Sequence, residues 1–195
     1  MANICINSFA VSNDDQEALV KFYKAFMDGN VFKTFFPMPE QLEGTICPSP
    51  PNEVYLSLYG ASNWCDWKEK NWGIKCDIGI NEECSDYSGG CRINGNICSG
   101  VFGTPWSPPI EAFKKLAEFG FKFYLNYEES GNGFLGVLSW DGESLVDDCY
   151  DIDFDEWEED GVDWREFIPE EFHDMIEERY DEWLEDKYCD EENED

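Results

Sequence analysis

The alternation of apolar and polar residues divides this chain into short strands and amphipathic helices. From Ile4 to Val11, Ile4, Ile6, Ser8 and Ala10 fall on one parity and Cys5, Phe9 and Val11 on the other, a period of two that predicts a strand. Ser12-Asn13-Asp14-Asp15 then offers N-cap side chains. Leu19, Phe22, Tyr23 and Phe26 recur at helical spacing up to Gly29, so a helix follows. The prolines of Phe35-Phe36-Pro37-Met38-Pro39-Glu40 and of the stretch from Pro48 to Pro51 exclude regular helix. Trp64, Trp67 and Trp72, at i, i+3 and i+8, are read as the inner face of a helix packed on a sheet. If exposed, the same indoles could stack bases or sugars instead.

Two further strands are expected near residues 77–81 and 97–102, flanking a Cys-rich hairpin insertion near 82–98 with a turn at Asn94-Gly95. Thr104-Pro105-Trp106-Ser107-Pro108-Pro109 leads into a helix whose apolar side carries Ile110, Phe113, Leu116, Ala117 and Phe119. Phe121 to Tyr127 reads as a strand, Ser130-Gly131-Asn132-Gly133 reverses it, and Phe134 to Trp140 returns. The order is βαββαβ with one added strand, an α+β arrangement.

The last quarter keeps a pattern but changes its polar partner. Tyr150, Ile152 and Phe154 alternate with Asp151, Asp153 and Asp155, which predicts a strand with one row of carboxylates. Pro169-Glu170-Glu171 resembles a first helical turn, with acids near the positive end of the dipole. Phe172, Met175, Ile176, Tyr180, Trp183 and Leu184 then mark the inner face of an amphipathic helix over about residues 169–188. Its outer face holds Glu170, Glu171, Asp174, Glu177, Glu178, Asp181, Glu182, Glu185 and Asp186. Spread along roughly 30 Å of helix, these acids are about 3 Å apart, close to the ~3.4 Å per phosphate of one DNA strand. Like charges at i, i+4 oppose helix formation, so the aromatic face must pack well enough to offset them.

Charge sharpens this division. The 195 residues carry a net charge of −31. Residues 141–195 contribute 27 acids against Arg165, Arg179 and Lys187, whereas residues 1–140 hold 17 acids and 10 bases. A salt-adapted protein would spread its carboxylates evenly. A disordered tail would lack the interleaved aromatics. The expected organisation is therefore a domain over 1–143 and a folded acidic extension over 144–195.

Candidate chemistry is sparse. Nine cysteines, an odd number without a Cys-x-x-Cys pair, read as reduced thiols rather than a disulfide scaffold or zinc site. Cys84, Cys91 and Cys98 recur at intervals of seven without metal-ligand spacing. His173, the single histidine, has no nucleophile at a telling distance in sequence. Asp151-x-Asp153-x-Asp155 fails as a calcium loop, because Glu156 stands where glycine is needed and Val162 where glutamate is needed. No nucleophile–base pair or phosphate loop is present, so no enzyme, cofactor or metal is expected. No stretch approaches the ~20 apolar residues of a membrane span, and the first residues lack a basic and apolar leader. A cytosolic protein that does not engage membranes is expected.

Several motifs carry a resemblance. Phe36-Pro37-Met38-Pro39-Glu40, Asn63-Trp64…Asp66-Trp67…Asn71-Trp72-Gly73…Lys75…Asp77, Thr104…Trp106-Ser107-Pro108-Pro109 and Tyr127-Glu128-Glu129…Gly131…Gly133-Phe134…Gly136 are similar in order and spacing to the YubB-like family. The similarity covers about residues 1–143. It departs at Asn3-Ile4-Cys5, where the family has a tryptophan, at Cys76 in place of tryptophan, and at Pro105 in place of a small residue. The resemblance implies a ferredoxin-like fold and a bacteriophage or plasmid setting, supplies no catalytic residues, and leaves the acidic extension outside.

Together these readings give an expected function. Asp151, Asp153, Asp155 and the nine helix carboxylates would act as a DNA mimic occupying the basic groove of a host defence protein, such as a CRISPR effector, restriction enzyme or other nuclease. The chain itself would not bind nucleic acid. The alternatives are an acidic interaction module without mimicry and a small-ligand domain built on the Trp cluster.

Overall fold

The central strand, β1 (Ile4–Ser12), is built from the alternation described above: Cys5, Asn7, Phe9 and Val11 are buried, and the residues between them are not. In the computed structural model, residues 3–80 and 89–191 are described; for residues 186 and 188–191 only the backbone is. After β1 come α1 (Gln16–Met27), α2 (Val31–Phe35), a 3-10 turn (Glu40–Leu42), α3 (Glu53–Tyr59) and α4 (Trp64–Trp72). Then follow β2 (Gly90–Asn94), β3 (Ile97–Pro105), α5 (Ile110–Glu118), β4 (Lys122–Glu129), β5 (Phe134–Trp140) and β6 (Leu145–Asp151). The described residues close with α6 (Phe154–Asp160), two 3-10 turns (Trp164–Glu166 and Glu170–Phe172) and α7 (His173–Glu191).

The six strands form one antiparallel open sheet in the order β2-β3-β1-β4-β5-β6. Its first four are the βαββαβ strands, with β1 between β3 (Phe9 opposite Gly100) and β4 (Phe9 opposite Leu125). Two strands are added, β5 and β6, where the sequence predicts one. A phenylalanine core lies under the helices: Phe9 meets Phe22 at 5.8 Å and Phe102 at 5.7 Å, and Phe113 meets Phe123 edge-on at 5.5 Å. Burying each such ring contributes about 1.5–3 kcal/mol. This core is the principal source of stability for the sheet and its helices.

Two expected strands are corrected. No strand forms over Asp77–Ile80, and Asn81 lies outside the described residues. The backbone there is committed elsewhere. Asp77 caps α2, accepting from the N–H groups of Phe32 at 2.7 Å, Lys33 at 2.8 Å and Ile78 at 2.8 Å. Ile80 N–H donates to Phe26 O at 2.9 Å, and a Cβ on Gly79 (φ 127°) would lie 2.1 Å from that oxygen. The second strand is β2 instead. It joins β3 through a two-residue turn with Gly95 left-handed (φ 62°). Of the Cys-rich segment, residues 81–88, with Cys84, lie outside the described residues; residues 90–98 belong to this hairpin of the sheet.

The second correction concerns Tyr150 to Asp155. Strand β6 ends at Asp151, Asp153 caps α6 by accepting from Glu156 N–H at 3.0 Å, and Asp155 sits in the first helical turn. Helix capping satisfies N–H groups that a strand would direct to a neighbour. The carboxylates of Asp151, Asp153 and Asp155 therefore do not form a strand row.

Helix α4 packs through two of the three tryptophans whose spacing predicts an inner face. Trp67 and Trp72 are buried and meet edge-to-face at 5.9 Å, while Trp72 Nε1–H donates to Phe36 O at 3.3 Å. Lys115 of α5 donates to Asn71 Oδ1 and lies 5.7 Å from the Trp67 ring centre; burial lowers its ammonium below the ordinary lysine value. Trp67 and Trp72 are core, whereas Trp64 is half-buried and lies outside the core cluster. Two compact units are distinguished, Met1–Cys149 and Tyr150–Asp195.

Candidate partner-binding surface

The second unit is organised by its own aromatic cluster. Phe154 of α6 lies 5.5 Å from Trp157, 5.4 Å from Tyr180 and 5.8 Å from Trp183, so α6 and α7 meet through rings. Trp157 packs edge-on to Phe167 at 5.5 Å, and Trp164 meets the His173 ring at 5.2 Å. His173 Nε2 is 2.7 Å from Ile168 O, which ties the start of α7 to the preceding loop. Phe172 and Ile176 are buried, and Met175, Tyr180, Trp183 and Leu184 are half-buried, as the helical spacing predicts.

The outer arc of α7 is anionic. Asp174, Glu177, Glu178, Asp181, Glu182 and Glu185 are all exposed. At about 100° per residue, Asp174, Glu178, Asp181 and Glu185 fall within a stripe about 60° wide, flanked by Glu177 and Glu182. These six carboxylates span about 16 Å of helix axis, a linear density near that of one DNA strand. Glu170 and Glu171 are exposed on the 3-10 turn before α7; Asp186 lies within α7, with its side chain outside the described residues. Asp151, Asp153 and Asp155 are exposed too, but on other elements and in other roles. Sequence reasoning missed α6 and with it Glu156, Glu158, Glu159 and Asp160, all exposed. The signal that could have found it was Asp153 followed three residues later by Glu156 and an apolar Trp157, an N-cap pattern.

The basic residues of this unit are engaged within it. Arg165 pairs with Glu177 at 2.8 Å and lies 4.3 Å from the Trp164 ring centre. Lys187 pairs with Glu158, lies 3.9 Å from Asp155, and sits 4.5 Å from the Trp183 ring centre, so it joins α7 to α6. Arg179 sits 6.0 Å from the Phe154 ring centre. Among the described residues, Asp174, Glu178, Asp181, Glu182 and Glu185 form no ion pair. The stripe is a fixed anionic surface with unmatched charge.

Other chemistry-bearing groups are dispersed. Among the described residues, no three of His, Cys, Asp or Glu gather around a common metal position. No described helix is long and apolar enough to cross a membrane. One residue outside the predicted site stands out: Trp106 is half-exposed and has a left-handed backbone, φ 69°.

Residues 89–166 match the family model described as the ferredoxin-like domain in Api92-like protein. The matched span starts just before β2 and runs through β6 and α6 to the Trp164–Glu166 turn. The first part of the acidic extension falls inside this span and α7 falls beyond it. No curated protein matches the chain. Among solved structures, the crystal structure of protein api92 from Yersinia pseudotuberculosis is similar, with a TM-score of 0.47 and 12% identity over 78% of this chain and 99% of that one. With the strand order β2-β3-β1-β4, the family match identifies the sheet domain as ferredoxin-like.

Proposed function

We propose that the acidic unit is a folded polyanion that occupies the basic groove of a nucleic-acid-binding protein, and that the chain acts as an inhibitor through this contact. The observation that carries this reading is the α7 stripe: Asp174, Glu178, Asp181, Glu182 and Glu185 are exposed, unpaired and held on one helix face by the rings beneath. A groove lined with Lys and Arg for phosphates accepts such a row in place of a strand of DNA. A prefolded row loses little ordering entropy on binding. The resemblance of the first 143 residues to YubB-like domains points to a phage or plasmid setting, in which the target is a host defence nuclease or CRISPR effector. The chain itself does not bind DNA in this reading, and it is not an enzyme.

The test uses the full chain immobilised and exposed to host lysate at low and high salt, with duplex DNA as competitor. Bound proteins should elute with duplex and with salt. The triple variant Glu178→Lys, Asp181→Lys, Glu185→Lys should lose them while its far-ultraviolet circular dichroism is unchanged. Retention by the folded triple variant, or retention in the presence of excess duplex, would refute mimicry; the second outcome identifies an acidic interaction module that leaves the target's DNA site open.

A further inference from the structure

The loop before α3 and the start of α4 are fastened to each other at several points. Trp64 N–H donates to Thr45 Oγ1 at 3.0 Å, Asn63 Nδ2 to Ser49 Oγ at 3.2 Å, and Asn52 N–H to Ser62 Oγ at 2.9 Å. Asn63 also caps α4 by accepting from Asp66 N–H at 3.0 Å. Between these ties lie two cysteines, Cys47 on the loop and Cys65 in the first turn of α4. Both are free thiols, Cys47 half-exposed and Cys65 buried. The Thr45–Trp64 and Ser49–Asn63 bonds bracket Cys47 and bring it to the first turn of α4, beside Cys65; burial and then the neighbouring Cys47 thiol push the Cys65 thiol up to about 11.

We infer that Cys47 and Cys65 form an oxidisable dithiol, a site of reversible disulfide formation by exchange with a low-molecular-weight disulfide such as glutathione disulfide. Cys47, the accessible thiol, attacks one sulfur of the oxidant, forming a mixed disulfide and releasing one glutathione thiol. Cys65 then attacks Cys47 sulfur, forming the Cys47–Cys65 bond and expelling the second glutathione. Two protein thiols are oxidised, one disulfide oxidant is reduced to two thiols, and the two protein thiol protons pass to the glutathiones. The flanking hydrogen bonds already hold the backbone in place. The bridge would fasten both ends of the segment carrying α3, whose Val54 and Leu58 are exposed.

A second thiol pair provides the contrast. Cys91 and Cys98 also neighbour each other, yet Cys91 stands opposite Gly100 and Cys98 opposite Ile93, so they are diagonal partners. Diagonal positions hold their Cα atoms about 7–8 Å apart, beyond the usual reach of a disulfide. Oxidation should therefore select Cys47–Cys65.

The experiment incubates the reduced full chain with glutathione disulfide, alkylates remaining thiols and reads the digested peptides by mass spectrometry. A Cys47–Cys65 linked peptide should be the main intramolecular product, reverting to two alkylated thiols after reduction. In Cys65→Ser the link should vanish and glutathione should remain on Cys47. A lasting glutathione adduct on Cys47 of the unaltered chain, an unmodified Cys47, or a dominant link elsewhere, Cys91–Cys98 included, would overturn the inference.

Discussion

Single residues here show how local chemistry departs from local pattern. Asp77 sits in a run that alternates like a strand, yet its carboxylate serves three backbone N–H groups. Burial raises its pKa above the ordinary aspartate value, against the lowering by those three donors. A carboxyl raised on folding binds its proton more readily folded than unfolded. Its contribution to stability is thus fullest below the unfolded value of about 3.9 and is lost as pH rises through the folded value. A carbon-13 titration should place the Asp77 midpoint above 3.9; a lower midpoint would contradict the burial argument. Replacing Asp77 by Ala leaves those donors unserved and should lower stability by about 1–3 kcal/mol, read as a lower urea midpoint. Trp106 presents the opposite case. A bulky residue at φ 69° is strained, and its side chain is half-exposed. Trp106→Gly should therefore leave stability unchanged or raise it by up to about 1 kcal/mol, relief of strain exceeding the entropy cost of glycine. A marked fall in the thermal midpoint would mean that the indole packs.

Elements were legible in proportion to how one-sided their burial is. β1, β4, α1, α5 and α7 each bury one face, and their apolar spacing in the sequence gives their type; the start of α7 is misplaced, because Glu170–Phe172 forms a 3-10 turn and the helix proper runs His173–Glu191. β2 is exposed along nearly its whole length and β6 likewise, so neither imprints a period of two on the sequence. The alternation from Tyr150 to Asp155 mixes the last residues of β6 with a helix cap, and pattern alone cannot separate them. The same local logic reaches the candidate surface: the α7 carboxylates were readable because acids and rings segregate by helical phase, whereas those of α6 depend on where a seven-residue helix begins. That beginning rests on Asp153, whose carboxylate accepts from Glu156 N–H at 3.0 Å. Asp153→Ala should weaken α6 by about 0.5–2 kcal/mol. Amide exchange should quicken along α6 while β4 stays protected, and unchanged exchange in α6 would show that ring packing alone starts the helix.

At the scale of the molecule, charge sets the acidic unit apart. Residues 150–195 hold 23 acids and 3 bases, and those bases are engaged inside the unit. Carboxylates about 6 Å apart in water repel by roughly 0.7 kcal/mol per pair, and such terms accumulate along Asp174, Glu178, Asp181 and Glu185, which form no ion pair among the described residues. Salt shortens the screening length from about 30 Å at 0.01 M to about 10 Å at 0.1 M, which removes the repulsion beyond nearest neighbours. Two consequences have opposite sign. Added salt should raise the thermal midpoint of the acidic unit, because it relieves self-repulsion in the folded helix; the same salt should weaken attachment to a basic partner. Thermal unfolding followed by amide signals of α7 in sodium chloride from about 0.01 to about 0.5 M checks the first. The Glu178→Lys, Asp181→Lys, Glu185→Lys variant should lose most of that salt dependence, because it removes three of the repelling charges and supplies cations at i, i+3 and i+7, the first two of them four residues after Asp174 and Glu177. A midpoint that falls with salt in the unaltered chain would mean that ion pairs such as Arg165 with Glu177 and Lys187 with Glu158 outweigh the stripe, and the unit would then be better described as a salt-bridged helical pair than as an anionic track.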